Sequence, residues 1–464
     1  MPVASMVIHG GNADMRQSMP IANPSPARSL SRSQWRVVAL ASLGGSLEFY
    51  DFVIYGIFAQ YIAGQFFPAD DPAVSLILSF SVLALGFLAR PLGGIVLSGL
   101  GDRFGRRPVF LGSLFATTAA TILIGLLPAY ASWGLAAPLL LVGLRLVQGV
   151  CLGGELPGAL TYAVEAAPRR AGLACGVIIL CVNGGVLVAT LVNLGIQYAL
   201  PPADVAAYGW RAAFLLGGLI GCVSYLMRRR LEESPEFLRM RSHAASPTSE
   251  VLRDHWKAVL TAAGVVAAVG GFTGMLYGFV PAYLVQTLHY TPSQTALAMI
   301  AALLVSSAGQ IVAAWAGDYL PRPVILRVGA ALLVVTIFPI WSLIAAGSER
   351  LVLLLGALSL AFSIVSGVWP SIVATLFPTR VRFSGIALSY NLSITILSGF
   401  APLAASAMME RTGMLTAPAV YIAACAALTV VSSFALARVS DRRAGVAQPI
   451  LTEDAAPDGW DLAT

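Results

Sequence analysis

Long apolar stretches separated by short polar segments run through most of the chain. A transmembrane helix needs about 20 consecutive apolar residues, and twelve stretches have about this length. They lie at 37–63, 74–98, 108–128, 135–165, 172–200, 209–227, 258–286, 294–316, 324–346, 351–377, 383–409 and 416–437. The pattern predicts an all-α membrane protein with twelve transmembrane helices, six before and six after a polar central segment.

The polar segments divide the chain into five predicted parts. These are a disordered arm at 1–35, a six-helix bundle at 36–227, a central loop at 228–257, a second six-helix bundle at 258–438 and a tail at 439–464. The first apolar stretch is long enough to span a bilayer. We therefore expect the N-terminal region to be an arm and not a cleaved secretory signal.

The two halves resemble each other in the loops that follow equivalent helices. The Gly-Asp pair at 101–102 has a counterpart at 317–318, and the Pro-Arg segment at 168–170 has a counterpart at 378–382. Internal duplication is typical of secondary transporters whose substrate site lies between the halves near the bilayer midplane. We therefore expect two pseudo-symmetric bundles. The loop at 317–318 lacks the paired arginines of its counterpart, and we expect it to latch less strongly.

The composition agrees with a lipid environment. Apolar residues make up 58% of the chain and charged residues 11%, whereas soluble proteins have about 45–50% and about 25%. So few charges cannot cover a soluble surface of this size. The five cysteines fall in apolar stretches without metal-ligand spacing, and we expect neither a metal site nor a cofactor.

The arginines mark one side of the membrane. They occur in the loops after the second, fourth, eighth and tenth stretches, as Arg103, Arg106, Arg107, Arg169, Arg170, Arg322, Arg327, Arg380 and Arg382. Cation-rich loops face the cytoplasm, which predicts a multi-pass protein of the cell (inner) membrane with both termini in the cytoplasm. The net charge of +6 is scattered over short loops, and this distribution argues against nucleic acid as a partner.

Five ionisable residues fall inside predicted membrane helices. They are Glu48, Asp51, Arg90, Arg145 and Glu155. Each such group costs about 2.5–3.5 kcal/mol at the centre of an inserted helix. We therefore expect these charges to pair with one another or to face a water-filled cavity.

The two carboxylates of the first helix are the main candidates for proton coupling. Glu48 and Asp51 are three residues apart and lie on one helical face, which Tyr55 continues one turn later. Two neighbouring carboxylates resist simultaneous ionisation, so one of them can carry a proton across the membrane. The alternative is a fixed ion pair with Arg90 or Arg145 that only holds helices together.

The arginines and Glu155 each allow two interpretations. Arg145 lies near the middle of the fourth helix, where its guanidinium can bind an anionic substrate or a carboxylate of the first helix. Arg90 precedes Pro91 nearer the cytoplasmic end of the second helix, and a structural role is favoured over substrate binding. Glu155 follows two glycines that permit close helix approach, so it can either pack against a neighbouring helix or take part in coupling.

The second half has no charge in the middle of a predicted helix. Its candidates for substrate contact are neutral side chains, each of which more often packs than binds: Tyr277, Gln310, Trp369, Tyr390 and Asn391. The dipeptide Trp369-Pro370 is also a candidate break in the tenth helix, beside a cavity.

Several motifs resemble those of the major facilitator superfamily. The loop at 101–107 resembles the signature between its helices 2 and 3, and Arg145–Gly149 resembles its helix 4 motif. Segments 48–52, 90–94, 153–155, 209–211 and 231–237 are similar to the metabolite:proton symporter branch, which includes carriers of citrate, 2-oxoglutarate, shikimate and proline/betaine. The resemblance implies the fold of that superfamily. Ser98 departs from the loop signature, which usually begins with glycine.

By the same resemblance, the loop after the second helix closes the cytoplasmic side in the outward-facing state. The implied gate consists of Asp102, Arg103, Gly105, Arg106 and Arg107. A carboxylate suits this position because it can bind the positive N-terminal end of a helix. The alternative is that the arginines of this loop only mark the cytoplasmic side.

Together, these features predict a proton-coupled symporter that carries a small organic anion or zwitterion by alternating access. We expect a monomer in the lipid bilayer that draws on the proton gradient. The alternative is a proton-antiporting exporter of a metabolite, siderophore or drug. A transporter-like sensor is disfavoured because the tails and central loop are short. A membrane enzyme is disfavoured because the helices lack a histidine cluster, a metal-ligand set and a nucleophile–base pair.

Overall fold

The computed structural model of the protein describes residues 29–240 and 244–446. Twelve of its helices are long and apolar enough to cross a membrane, so the predicted fold is confirmed. They are α1 (Arg32–Phe66), α2 (Val74–Phe104), α3 (Arg106–Leu126), α4 (Ala136–Ala166), α5 (Pro168–Ala199), α6 (Pro202–Arg228), α7 (Trp256–Thr287), α8 (Pro292–Ala316), α9 (Arg322–Ala345), α10 (Leu351–Leu376), α11 (Thr379–Thr412) and α12 (Ala417–Leu436). Most of the predicted arm and tail lies outside the described residues, although the last helix continues to Val446.

Local sequence signals set several helix ends. α1 begins at a capping box in which Ser31 accepts from the backbone of Gln34 and the Gln34 side chain accepts from Ser31, and Thr291 with Gln294 forms the same box before α8. Such boxes satisfy backbone donors that a helix start leaves free. Between α2 and α3 the chain turns at Gly105, whose φ is +113°, a conformation that side chains other than glycine rarely adopt.

The helices form two bundles of six. In the first, α1 packs on α5, α2 on α4 and α3 on α6; in the second, α7 packs on α12, α8 on α10 and α9 on both α10 and α12. The bundles meet where α2 contacts α11 and where α5 contacts α8. These two contacts are equivalent under exchange of the halves. Large apolar side chains such as Leu194 and Val335 are exposed on the outside, at 63% and 70%, as expected for a surface that faces lipid.

Glycines bring α2 and α4 into direct backbone contact. A Cβ atom at Gly149 would overlap the carbonyl group of Gly86, and one at Gly93 would overlap the backbone of Val150. Small residues at such crossings are typical of tightly packed membrane helices. The contact places Arg90 of α2 and Arg145 of α4 on one closely packed pair of helices.

The central segment is packed and partly helical, with short helices at Pro235–Leu238 and Pro247–Asp254. Val251 and Leu231 are fully or almost fully buried, at 0% and 2% exposure. Arg228, at the predicted start of this loop, is the last residue of α6 and is completely buried.

The predicted break at Trp369-Pro370 is wrong. α10 runs without interruption from Leu351 to Leu376, with Pro370 inside it. Proline removes one backbone donor and is tolerated in membrane helices where neighbouring groups compensate. Irregular turns occur instead in α7 and α11, as π-helical segments at Gly274–Phe279, Tyr283–Thr287 and Ile394–Ser398.

Candidate functional site

Among the charged side chains buried in the first bundle, six interact with one another, and we call them the buried charge cluster. They are Glu48, Asp51, Arg90, Arg145, Glu155 and Arg228, each at most 5% exposed. Five of them were candidates from the sequence, and Arg228 is the addition. Three carboxylates and three guanidinium groups make the cluster neutral when all are ionised.

Asp51 and Arg145 form the first ion pair of this cluster. The Arg145 Nη1 atom lies 2.7 Å from Asp51 Oδ2, and the Thr121 hydroxyl donates to Asp51 Oδ1 at 3.1 Å. Gln148 in turn donates to the Thr121 oxygen at 2.9 Å. The ring of Tyr55 lies under the Arg145 guanidinium, 3.9 Å from its centroid. The sequence left open whether Arg145 meets the substrate or a carboxylate of the first helix, and in this conformation it holds Asp51.

A small cavity lies beside this pair. It is lined by residues of α1 to α4 only, among them Glu48, Asp51, Arg145, Gln148 and Phe87. It offers about 30 Å³ to the centres of water-sized molecules, whereas one water needs about 10–15 Å³. Both carboxylates of α1 therefore face a common space that water can occupy.

Glu155 and Arg228 form the second ion pair. The Arg228 Nη1 atom lies 2.5 Å from Glu155 Oε1, and Ser113 donates to Glu155 Oε2 at 3.2 Å. The other guanidinium donors of Arg228 reach the carbonyl oxygens of Leu40 and Ala41 in α1, at 3.1 and 2.8 Å. This pair therefore ties α4 and α6 to α1. Of the two interpretations that the sequence left open for Glu155, this geometry agrees with packing against neighbouring helices.

The remaining two members, Glu48 and Arg90, have no ion-pair partner within 4.0 Å in the described part of the chain. Glu48 Oε2 and Arg90 Nε are buried without a hydrogen-bond partner. The Arg90 guanidinium is 3.4 Å from the hydroxyl of Tyr390 in α11 and lies over the rings of Phe87 and Tyr390, at 5.4 and 5.5 Å. Tyr390 stacks on Trp369 of α10, with ring centroids 5.5 Å apart. Arg90 therefore lies at the interface between the bundles.

The other neutral candidates are dispersed. Asn391 donates to the carbonyl of Gly153 across the bundle interface at 2.8 Å, close to the Tyr390 contact. Gln310 accepts from Ser366 inside the second bundle at 3.1 Å. Tyr277 lies in a π-helical segment of α7 with 43% of its surface exposed. The structure therefore brings Trp369, Tyr390 and Asn391 near Arg90 and leaves Gln310 and Tyr277 elsewhere.

The loops that carry arginines lie together on one side of the molecule, which we call the arginine-rich face. There the completely buried Asp102 accepts from the backbone N–H groups of Phe383 and Ser384 at the start of α11, at 3.4 and 2.8 Å. Arg106 donates to the carbonyl of Thr379 at 2.8 Å and pairs with Glu165 at 3.0 Å. Asp102 and Arg106 thus connect the first bundle to the second.

The other three predicted gate residues occupy different positions. Gly105 supplies the turn described above. Arg103 is exposed and lies over the ring of Phe104, 4.8 Å from its centroid. The backbone N–H of Arg107 donates to Glu233 of the central segment at 3.0 Å. These contacts do not cross to the second bundle.

A second latch lies at the equivalent position of the other half. Asp318 accepts from the backbone N–H groups of Gly172 and Leu173 at the start of α5, at 2.7 and 3.0 Å, and pairs with Arg322 at 3.2 Å. The sequence predicted weaker latching here because the paired arginines are missing. In both latches two backbone N–H groups at a helix N-terminus donate to the carboxylate, and at Asp318 the Arg322 side chain also donates, at 3.2 Å.

The central segment joins this polar network. Arg382 of α11 bonds Glu165 of α4 and Glu236 of the central segment, both at 2.8 Å, and Arg380 pairs with Glu250 at 3.0 Å. The arginine-rich face is therefore closed by polar contacts among both bundles and the segment between them.

Sequence reasoning missed Arg228, Glu165 and the complete latch of Asp318. Arg228 begins a run of three arginines, which is typical of a loop, and only the unpaired Glu155 signalled a buried partner. Glu165 lies near the end of a predicted helix, where a carboxylate is unremarkable. Asp318 was visible as the repeat of Asp102.

Comparison with known proteins gives consistent matches over most of the chain. The sequence model of the Major Facilitator Superfamily matches residues 41–382. A glycine betaine/proline/ectoine/pipecolic acid transporter of Dickeya dadantii, OusA, is 29% identical over 434 residues, covering 90% of this chain and 86% of that protein. The proline/betaine transporter of Escherichia coli K12 is similar to the same extent. The proton:xylose symporter XylE bound to 6-bromo-6-deoxy-D-glucose has a similar fold, with a TM-score of 0.72 at 16% identity, over 87% of this chain and 95% of XylE.

Proposed function

Since the chain belongs to the Major Facilitator Superfamily, we propose that it is a proton-coupled symporter of a small organic anion or zwitterion that works by alternating access. The proton gradient is the energy source, and the protein works as a monomer. Three carboxylates and three arginines buried inside one bundle carry this proposal. Intramembrane charges are expensive and mark ion or substrate pathways.

We assign the arginine-rich face to the cytoplasm, because cation-rich loops remain on that side. The termini share that side, in the cell (inner) membrane. The latches of Asp102 and Asp318 then close the cytoplasmic side in the conformation described above. Return to the inward-facing state requires both latches to open.

Proton exchange takes place at the carboxylates beside the cavity. Glu48 and Asp51 share a space that admits water, and two neighbouring carboxylates resist simultaneous ionisation. A proton is therefore held at this pair in one state and released in the other. Glu155 supports the pair through its contact with Arg228 and its position near Glu48.

The substrate class follows from the charges and the relatives. A guanidinium group binds a carboxylate through two parallel hydrogen bonds, and the cluster supplies three guanidinium groups. The proline/betaine transporters named above carry small solutes that have a carboxylate group. An organic acid or an amino-acid-like zwitterion fits this chemistry.

The proposal is tested by solute uptake into proteoliposomes under an imposed pH gradient, acid outside. L-proline, glycine betaine and 2-oxoglutarate serve as labelled probes. We expect at least one probe to accumulate above its equilibrium level and the accumulation to vanish with a proton ionophore. Accumulation of no probe in this direction, with gradient-driven efflux instead, would favour the antiporting exporter.

Asp51→Asn is expected to abolish uphill accumulation, because it leaves Arg145 buried without its partner. Asp70→Asn is the matched control, since Asp70 is exposed in the loop before α2 and undergoes the same chemical change. Normal uphill accumulation by Asp51→Asn contradicts a coupling role for this residue.

A further inference from the structure

The two members of the buried charge cluster without a partner carry opposite charges. Asp51 is held by Arg145 and Glu155 by Arg228, which leaves one carboxylate, Glu48, and one guanidinium group. A buried charge without a partner is strongly unfavourable. Glu48 and Arg90 are nonetheless buried, at 5% and 2% exposure. Each can therefore still bind a ligand of opposite charge, whereas the other four cluster members are already paired.

Glu48 is placed to take a proton. It lines the water-sized cavity, and its Oε2 atom has no donor. The charged and titratable groups that face it are Asp51 on its own helix, Arg90 on α2, Cys151 and Glu155 on α4, and Arg228 on α6. The nearest arginines are thus either engaged with other carboxylates or farther than 4.0 Å.

Arg90 is placed to take a carboxylate. Its side chain contacts the second bundle, through Tyr390. Its Nε donor has no hydrogen-bond partner. Its guanidinium group also lies over two aromatic rings, which stabilise the cation from its faces and leave its edge available to an anion. A ligand at this position would touch both bundles, as alternating access requires.

We propose that Glu48 and Arg90 together form one coupling site, in which Glu48 carries the proton and Arg90 binds the carboxylate group of the substrate. This proposal deepens and rests on the proposed function. It assigns one proton to each carboxylate bound. It also gives Asp51 and Glu155 a positioning role as the ion-pair partners of Arg145 and Arg228.

Coupling follows from the balance of charge. Protonation of Glu48 removes one negative charge from a neutral cluster and leaves Arg90 as an uncompensated cation. The carboxylate group of the substrate then compensates the charge of Arg90, so each ligand promotes binding of the other by the same factor. The proton alone, or an anionic substrate alone, leaves a net charge in the membrane interior, and such a state is unfavourable for the rocking movement.

The proton carrier is identified by infrared difference spectra of the purified protein between acid and alkaline pH. A protonated carboxyl group gives a carbonyl band that a carboxylate lacks. We expect this band to disappear in Glu48→Gln and to persist in Asp51→Asn and Glu155→Gln. Its persistence in Glu48→Gln, or its selective loss in Asp51→Asn, overturns the assignment of the proton.

The carboxylate site is identified by binding of L-proline, glycine betaine and 2-oxoglutarate to the protein in detergent. Loss of charge-assisted hydrogen bonds in Arg90→Gln is expected to weaken binding roughly 10- to 100-fold, with partial recovery in Arg90→Lys. A wild-type protein that binds none of these probes, or an Arg90→Gln variant that binds them normally, overturns the role of Arg90.

Linkage between protonation of Glu48 and binding of the carboxylate at Arg90 is measured as the pH dependence of the same binding. Wild-type affinity should fall by roughly tenfold per pH unit once Glu48 has lost its proton, and the affinity of Glu48→Gln should be high and independent of pH. The double variant Glu48→Gln/Arg90→Gln keeps the cluster neutral and controls for folding by its melting temperature. These measurements need no gradient, so they fail or succeed separately from uphill accumulation.

Discussion

The interiors of the two bundles use different chemistry. The first contains the buried charge cluster, whereas the buried polar side chains of the second, between 256 and 436, are neutral except for Asp318 at the arginine-rich face, whose side chain is 0% exposed. There, Ser366 donates to Gln310 at 3.1 Å, and Thr429 of α12 accepts from the backbone of Ala268 and donates to that of Gly264, both at 2.9 Å.

This difference shows that duplication preserved the architecture of the halves but not the ion chemistry. The two bundles repeat the helix order and the carboxylate latch, while among the described residues only the first adds a cluster of buried charges to that latch. The second provides the surface that faces Arg90, through Tyr390 and Trp369. We therefore assign the ion-driven step to the first bundle and substrate closure to its contact with the second.

The largest expected effect comes from breaking an ion pair of the first bundle. Arg228→Gln leaves Glu155 buried without its partner, which typically destabilises a protein by about 3–5 kcal/mol. The measurement is the melting temperature of the purified protein. Glu155→Gln/Arg228→Gln removes both charges and should recover most of the loss. If the double variant is no more stable than Arg228→Gln, the pair is not the reason for the stability of this region.

An intermediate effect tests the feature that the two bundles share. Asp102→Asn and Asp318→Asn each weaken hydrogen bonds from helix N-termini to a carboxylate, which are worth roughly 1.5–3 kcal/mol. Both variants should favour opening of the arginine-rich face by similar amounts. The readout is the rate at which a maleimide labels Ser389→Cys, a buried position of α11, after replacement of the five native cysteines.

A clear difference in labelling rate between Asp102→Asn and Asp318→Asn would show that the two latches are not equivalent. Faster labelling in Asp102→Asn alone would show that the first latch dominates, as its paired arginines suggested from the sequence. Arg411→Gln, an exposed change on the opposite face, is the control and should leave the rate unchanged.

The smallest effect is expected inside the second bundle. Ser366→Ala removes one neutral hydrogen bond to Gln310, worth about 0.5–1.5 kcal/mol, and should leave the pH dependence of transport as in the wild type. Melting temperature and uptake at several pH values measure the two parts of this prediction. A change in pH dependence would show that the second bundle also takes part in proton coupling.

Much of the fold could be predicted from the sequence because the helices have a local cause. Twenty or so apolar residues must be helical in lipid, and capping residues such as Ser31 and Thr291 mark helix starts. Burial that depends on packing between helices far apart in the chain could not be predicted. Arg228 reads as part of a loop, but α1 supplies carbonyl acceptors from residues 40 and 41 that draw it into the bundle.

The candidate site was predictable as a set of residue types but not as a set of pairs. A charged residue within a long apolar stretch is easily recognised in a sequence. Five members of the cluster were found in this way: Glu48, Asp51, Arg90, Arg145 and Glu155. Which of them pair depends on helix rotation and crossing, which no local pattern records. Arg90 contacts Tyr390, which is 300 residues away in the chain, and no local pattern indicates that contact.

The glycine contact between α2 and α4 has a consequence for distances during the transport cycle. Backbones that touch at Gly86 and Gly149 have no side-chain layer that can yield, so the two helices must travel as one rigid piece. In the alternating-access cycle proposed above, the backbone separation of Arg90 from Arg145 would then stay constant, while the separation of Arg90 from Tyr390 would change. The distance between Arg90 and Tyr390 would therefore report the movement of one bundle against the other, and the distance between Arg90 and Arg145 would serve as its reference.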